Sequence, residues 1–221
     1  MKYKIISFII ITLFIFGIFM NIYINKDTCL ANIKDKIIRL HIIANSDSAE
    51  DQEIKLRVRD VVLKELSPVI KEITDTEKAG LVIKKNLDFI KDRIQNELKK
   101  INKDFPVEVC LSKHEFPSKV YGEYTLPKGE YQALNVKIGN GSGGNWWCVM
   151  FPPLCFVDIA QGGTSEDVLN EMKEVLSKEE ISLLQNSYYE RLPIKLKFKI
   201  SEIYKNLNMK VAKIIRKNKQ M

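Results

Sequence analysis

Histidine is scarce in this chain: among 221 residues, only His41 and His114 offer a base that titrates near neutral pH. Acid–base or nucleophilic chemistry would have to draw on one of them or on carboxylates. His41 sits in an apolar run where side chains alternate between faces, so a structural histidine is the simpler reading. A nucleophilic set drawn from Cys148, His41 and Asn45 has no local signature behind it. Zinc spacing is absent too, because Cys29, Cys110, Cys148 and Cys155 form no C-x-x-C pair. Gly143-Gly144-Asn145 lacks the spacing and the strand-to-helix setting of a phosphate-binding loop. Asn45-Ser46-Asp47-Ser48 lacks the alternating acids and distant glutamate of a calcium loop. No cofactor and no metal is expected, and no internal repeat is visible.

Acidic residues are missing from the first 26 positions, which carry three lysines, and nearly missing from 195–221, where nine basic residues stand against Glu202 alone. The net charge of +7 therefore resides at the two ends, around a mildly acidic body. Nucleic-acid binding would call for basic residues interleaved with aromatics over a folded face, so none is expected. Basic ends instead suit anionic surfaces, and contact of that kind is expected of the tail, 205–221.

From Ile5 to Ile24 the chain reads IISFIIITLFIFGIFMNIYI without a charge. That matches the ~20 residues a helix needs to cross a bilayer. Lys2 and Lys4 precede it, which keeps the start in the cytoplasm and sends the remainder outward. Residues 1–26 are read as a signal peptide or membrane anchor. Retention is favoured because no small-residue cleavage site follows Met20, although Ala31 leaves a late cut open. Disulfides are permitted outside the cytoplasm. Cys148 and Cys155 flank Val-Met-Phe-Pro-Pro-Leu and either pair or remain buried thiols.

The exported body, 27–204, reads as α+β: two long helices packed on a mixed sheet. Lys36 to Asn45 is a buried strand ending in a turn cluster. Ser48, with Asp51 three residues on, caps a helix carrying Ile54, Val58, Val62 and Leu66. A second helix is expected over Asp75–Lys100, with Ala79, Ile83, Leu87, Ile90, Ile94 and Leu98 on one stripe. Period-two alternation marks strands at Pro106–Lys113 and Glu130–Ile138, paired around Leu126–Gly129. The glycine-rich 139–145 forms a hairpin or loop into a strand at Trp146–Phe151, and Thr164 caps a helix toward Leu176. Ile194–Ile200 alternates as an edge strand, and Ser201–Arg216 is an amphipathic basic helix.

Two stretches carry a resemblance. Arg39-Leu40-His41-Ile42-Ile43-Ala44-Asn45-Ser46-Asp47-Ser48, followed by Asp51-Gln52 and Lys55–Asp60, is similar to the N-terminal signature of the stage II sporulation protein R family. Gly143-Gly144-Asn145-Trp146-Trp147-Cys148-Val149-Met150-Phe151-Pro152-Pro153-Leu154-Cys155-Phe156-Val157-Asp158 resembles that family's most recognisable segment. The similarity is read over about Lys36 to Leu207, and the lysine-rich tail has no counterpart. What the resemblance implies is a signal made in the forespore and exported between forespore and mother cell. There it would activate a membrane-embedded aspartic protease that processes the sigma E precursor. The family supplies no catalytic residues.

His41, Asn45, Ser46, Asp47, Gly144, Asn145, Trp146 and Trp147 are therefore the candidate partner-binding residues. Each also has a structural reading: Asn45 to Ser48 as a helix cap plus turn, and the tryptophans as core. On a strand, Trp146 and Trp147 point to opposite faces. The rival function is an envelope enzyme such as a peptidoglycan-modifying hydrolase, with Asp47, Glu123 or Asp158 as general acid. A third is a structural protein bridging two membranes by its basic ends.

Overall fold

The computed structural model describes residues 2–155 and 164–185. The strand expected at 194–200, the basic helix at 201–216, the tail and Asp158 lie outside the described residues.

Helix α1 spans Lys2–Asp35 and leads directly into β1, Ile38–Ile43. Its side chains at Ile10, Ile11, Leu13, Phe14, Ile15, Phe16, Ile18 and Met20 are exposed. Among the described residues, no helix is long and apolar enough to cross a membrane. At its C-terminal end α1 joins the folded body, where Ile33 is fully buried.

A four-stranded sheet organises the body, in the order β2-β5-β1-β6. Strand β1 pairs in parallel with β5 (Gly129–Ile138) and antiparallel with β6 (Asn145–Phe151), while β2 (Val107–Phe116) closes the far side antiparallel to β5. The sheet is mixed, as expected. Alternation along β1 sends Ile38, Leu40 and Ile42 to one face and Arg39, His41 and Ile43 to the other.

The first face packs on α2 (Ala49–Ile70) and α4 (Leu87–Lys100), burying Val58, Val62, Ile90 and Ile94 against Leu134, Val136 and Ile138. Burying each such side chain fully contributes about 1.5–3 kcal/mol. Ser48 caps α2 as read, its hydroxyl accepting from the Asp51 amide.

The expected second long helix is two helices, α3 (Thr76–Lys85) and α4, broken at Asn86. An uninterrupted helix would direct the Asn86 backbone N–H to Val82 O. The Asn86 side-chain amide takes that carbonyl at 2.8 Å, and the backbone N–H turns to Ile83 O. Asparagine competes with the helix through such local bonds. The apolar stripe nevertheless faces one core, since Ala79, Ile83, Ile90, Ile94 and Leu98 are all buried.

Strands β2 and β5 pair as anticipated, but their link holds a small hairpin, β3 (Lys119–Tyr121) and β4 (Tyr124–Leu126), rather than a simple turn. The glycine-rich segment is a crossing loop and not a hairpin, because β1 separates β5 from β6. Thr164 and Asp167 form a reciprocal capping box on α5 (Ser165–Lys173), which stops short of Leu176, and a further helix follows, α6 (Lys178–Gln185). With α1 and the hairpin, these helices supply the second core, around Phe116, Tyr121, Tyr131, Val149, Val168 and Met172.

Cys148 and Cys155 are joined in a disulfide with Cα atoms 5.6 Å apart; Cys29 is half-buried and Cys110 exposed, both as free thiols. The bridge fastens the end of β6, where the Cys155 N–H also donates to Val149 O. Replacing both bridged cysteines by serine is expected to lower unfolding free energy by roughly 2 kcal/mol, the scale for a short closed loop. Urea denaturation of oxidised wild type beside the double variant measures it.

Candidate functional site

The two motif stretches meet at the C-terminal end of β1. After Ile43 the chain turns through Ala44–Ser48 into α2, and the crossing from Gly139 to Gly144 lies directly on that turn. Gly143 N–H donates to Ala44 O at 3.0 Å, and Ser142 donates to Asn45 O through its backbone at 3.2 Å and its hydroxyl at 2.7 Å. Asn45 Oδ1 accepts from Asn140 N–H at 3.0 Å, and Asp47 Oδ1 from Gly144 N–H at 2.7 Å. Five of the expected positions, Asn45, Ser46, Asp47, Gly144 and the neighbouring Asn145, thus form one interlocked platform.

Two glycines make this approach possible. Gly139 has φ +57, in the left-handed region, and a side chain there would run into Asn45. At Gly143 a Cβ would fall within the backbone of Ser46.

A second layer braces the turn from α2. Asp51 accepts from Ser46 Oγ at 2.5 Å and from Asn45 Nδ2 at 2.9 Å. Those bonds, Ser46's first, hold its carboxyl below the usual range. Gln52 donates to Ser46 O at 2.9 Å, and Lys55 reaches across to Gly144 O at 3.1 Å. Burial pulls the Lys55 ammonium below the ordinary lysine value, with Asp47 opposing. Asp51, Gln52 and Lys55 belong to the first motif stretch but lie outside the expected site residues. Their signal was the i, i+1, i+4 spacing, which sets polar groups on the first turns of a helix beside its own cap.

On the second face, His41 is 2% exposed. Its Nδ1 lies 3.2 Å from Asn135 Oδ1 and its Nε2 2.8 Å from Asn145 Oδ1. Trp147 stacks on the imidazole, with centroids 3.8 Å apart, and His114 approaches its ring to 4.4 Å. Burial holds His41 below the ordinary histidine value, as does His114, against the hydrogen bonds to Asn145 Oδ1 and Asn135 Oδ1. Beside it Arg39 is fully buried, its guanidinium 4.2 Å from the Phe116 ring and 5.0 Å from that of Tyr131. Burial lowers its pKa, and pushes the Tyr131 hydroxyl, which donates to Pro127 O, up to about 12. Asn135 and Arg39 were missed as site residues. The available signal was a polar side chain at a core-facing place in each strand's alternation.

The tryptophans do part to opposite faces, but neither is an exposed anchor: both are half-buried. Trp146 packs on the first core under Arg59, whose guanidinium lies 4.4 Å from its ring. Cys148 is bonded to Cys155 and on the face opposite His41, so the Cys148–His41–Asn45 nucleophile set is not assembled.

The site is thus a platform of amides, backbone groups and one buried imidazole on an α+β scaffold. The sequence profile described as Stage II sporulation protein R matches residues 34–161, ending short of the Leu207 reached by the motif reading. Stage II sporulation protein R of Bacillus subtilis (strain 168) is 42% identical over 154 residues, covering 70% of this chain and 68% of that protein. This chain belongs to the stage II sporulation protein R family, a sporulation family by name. No solved structure matches it.

Gly143→Ala must displace the Ser46 backbone and is expected to cost about 1–3 kcal/mol, the usual range for overpacking. Gly144→Ala meets only the ends of Gln52 and Asp47, at 3.2 Å or more, and should cost clearly less. Thermal unfolding of the two variants separates these effects.

The His41 shift predicts a pH dependence. Its folded pKa lies below its unfolded value of about 6.5. The unfolded chain therefore binds the proton more readily, and stability present above that pH is lost as pH falls through the folded pKa. His41→Gln should flatten this part of a denaturation profile taken between neutral and mildly acidic pH.

Proposed function

We propose that this protein is an exported sporulation signal, made in the forespore, that activates a membrane-embedded aspartic protease of the mother cell. That protease then processes the sigma E precursor. The observation that carries the reading is the convergence of the two family-like stretches into one platform. Side chains that served packing alone would not need two distant loops locked together by hydrogen bonds at a partly exposed surface.

The uncharged run at 5–24 and the lysines before it support export and tethering. Position within the fold agrees with this. Helix α1 enters β1 at one end, and the platform leaves it at the other, six residues and about 20 Å along the strand. The chain therefore enters the folded body at the end of β1 opposite the platform. Asn45, Ser46, Asp47, Gly144 and Asn145 are its contact surface, with Trp147 and His41 beneath. The basic tail at 205–221 adds contact with an anionic surface.

Co-expression of the full chain, the protease and the sigma factor precursor in a non-sporulating host tests this directly. Precursor cleavage is expected only with this chain present and exported. Asp47→Ala combined with Asn145→Ala should reduce cleavage about tenfold or more, the scale of a partner hot spot, at unchanged protein level. Full cleavage by that variant would remove the platform from the contact surface, and no cleavage with wild type would remove the signalling role.

A further inference from the structure

The bonds around His41 contain an asymmetry. Asn135 donates from Nδ2 to Ala133 O and to Ser112 Oγ, both at 3.0 Å. A backbone carbonyl only accepts, so the Asn135 amide has one permitted orientation, and Oδ1 is the atom that faces His41 Nδ1. Nδ1 therefore carries a proton in either charge state of the ring.

Nε2 is different. It lies 2.8 Å from Asn145 Oδ1, which also only accepts. An imidazolium satisfies both contacts, because both of its nitrogens donate. A neutral ring protonated at Nδ1 presents a bare lone pair at Nε2 and requires a donor there. Asn145 can supply one by turning its amide through 180°, which places Nδ2 inward and Oδ1 outward. The two ends of the amide have nearly the same shape, so the exchange needs no backbone movement. Asn145 is exposed, the first residue of β6 directly after the crossing.

We propose that His41 and Asn145 form a proton-coupled polarity switch: uptake of one proton by the buried ring turns an outward hydrogen-bond acceptor on the platform into a donor. At neutral pH the platform shows Asn145 Oδ1; after protonation it shows Nδ2. The kind of partner group favoured at this point changes accordingly, from an N–H or hydroxyl to a carbonyl or carboxylate.

The surroundings set a low protonation range. From β1 the neighbouring group is the Arg39 guanidinium, from β2 the His114 ring, and from β3 Lys119, which donates to Trp147 O at 2.8 Å. β5 contributes Tyr131 and also Lys137, whose charge is matched by Glu108 of β2 at 3.0 Å; β4 contributes Tyr124, and α1 contributes Lys34, 6.0 Å from the Tyr131 ring. From β6 the facing side chains are Asn145 and Trp147, neither titratable. The switch is consequently thrown by acidification below the ordinary histidine range, and is at rest, acceptor outward, at neutral pH.

Its effect on a partner rests on the proposed function; the switch itself does not. The test is therefore made on the full chain alone, labelled with ¹⁵N at histidine and asparagine and followed by NMR through a pH titration. At neutral pH, His41 is expected as the Nδ1–H tautomer with Nε2 bare. On acidification, Nε2 protonation and a change in the Asn145 side-chain amide signals should share one midpoint, while Asn135 stays constant. Asn145→Asp supplies a fixed acceptor and should raise the His41 midpoint by roughly 1–3 units. His114→Gln should leave the coupling of His41 to Asn145 in place. A neutral ring protonated at Nε2, or an Asn145 amide indifferent to His41 titration, would overturn the proposal, whatever the outcome of the protease assay.

Discussion

Everything at the far end of this sheet depends on how closely one backbone can lie on another. The crossing from β5 to β6 must pass over the end of β1, and Gly143 brings it within hydrogen-bond distance of Ala44 O. With a side chain at Gly143 the crossing would ride higher. The Asn45–Asn140, Asp47–Gly144 and Lys55–Gly144 bonds would then lengthen together. The turn would lose its brace and α2 would lose part of its cap, because Ser46 and Asp51 sit in the same network. A steric condition at one glycine is thus transmitted into the shape of a whole surface.

The two faces of the sheet perform opposite tasks. The first is apolar, closed by α2 and α4 and fastened at β6 by the Cys148–Cys155 bridge. It holds β1 in register. The second carries a buried guanidinium and a buried imidazole among aromatic rings. Ring faces moderate the cost of burying Arg39 without cancelling it, since cation–π contacts return less than a desolvated charge loses. A layer of this kind resists further positive charge, in keeping with a His41 imidazole held below the ordinary histidine value by burial.

Much of the architecture was legible from residue patterns. The β1 alternation, the Ser48 and Thr164 caps and the stripe on α3 and α4 are local rules that tertiary packing reinforced. The break at Asn86 escaped because the stripe continues across it; only the competition of one side chain for Val82 O ends the helix. The crossing loop was not distinguishable from a hairpin, since strand order is a property of the sheet and not of the segment. Asn135 and Arg39 were hidden for a related reason. Polar residues in strands read as solvent-facing until the second face is known to be covered.

The candidate residues divide along the same line. Asn45, Ser46 and Asp47 were open to two readings, helix cap plus turn or contact surface, and the structure shows the first. Capping is done by Ser48, while Asn45 and Asp47 use their side-chain oxygens to hold the opposing loop. His41 was read as a satisfied structural histidine, and in one respect it is, since both ring nitrogens are engaged. Yet satisfaction by two acceptor oxygens is available only to the charged ring. A histidine that is satisfied in one charge state alone is structural and responsive at once, and its response emerges at Asn145, whose side-chain amide is held, among the described residues, by His41 alone.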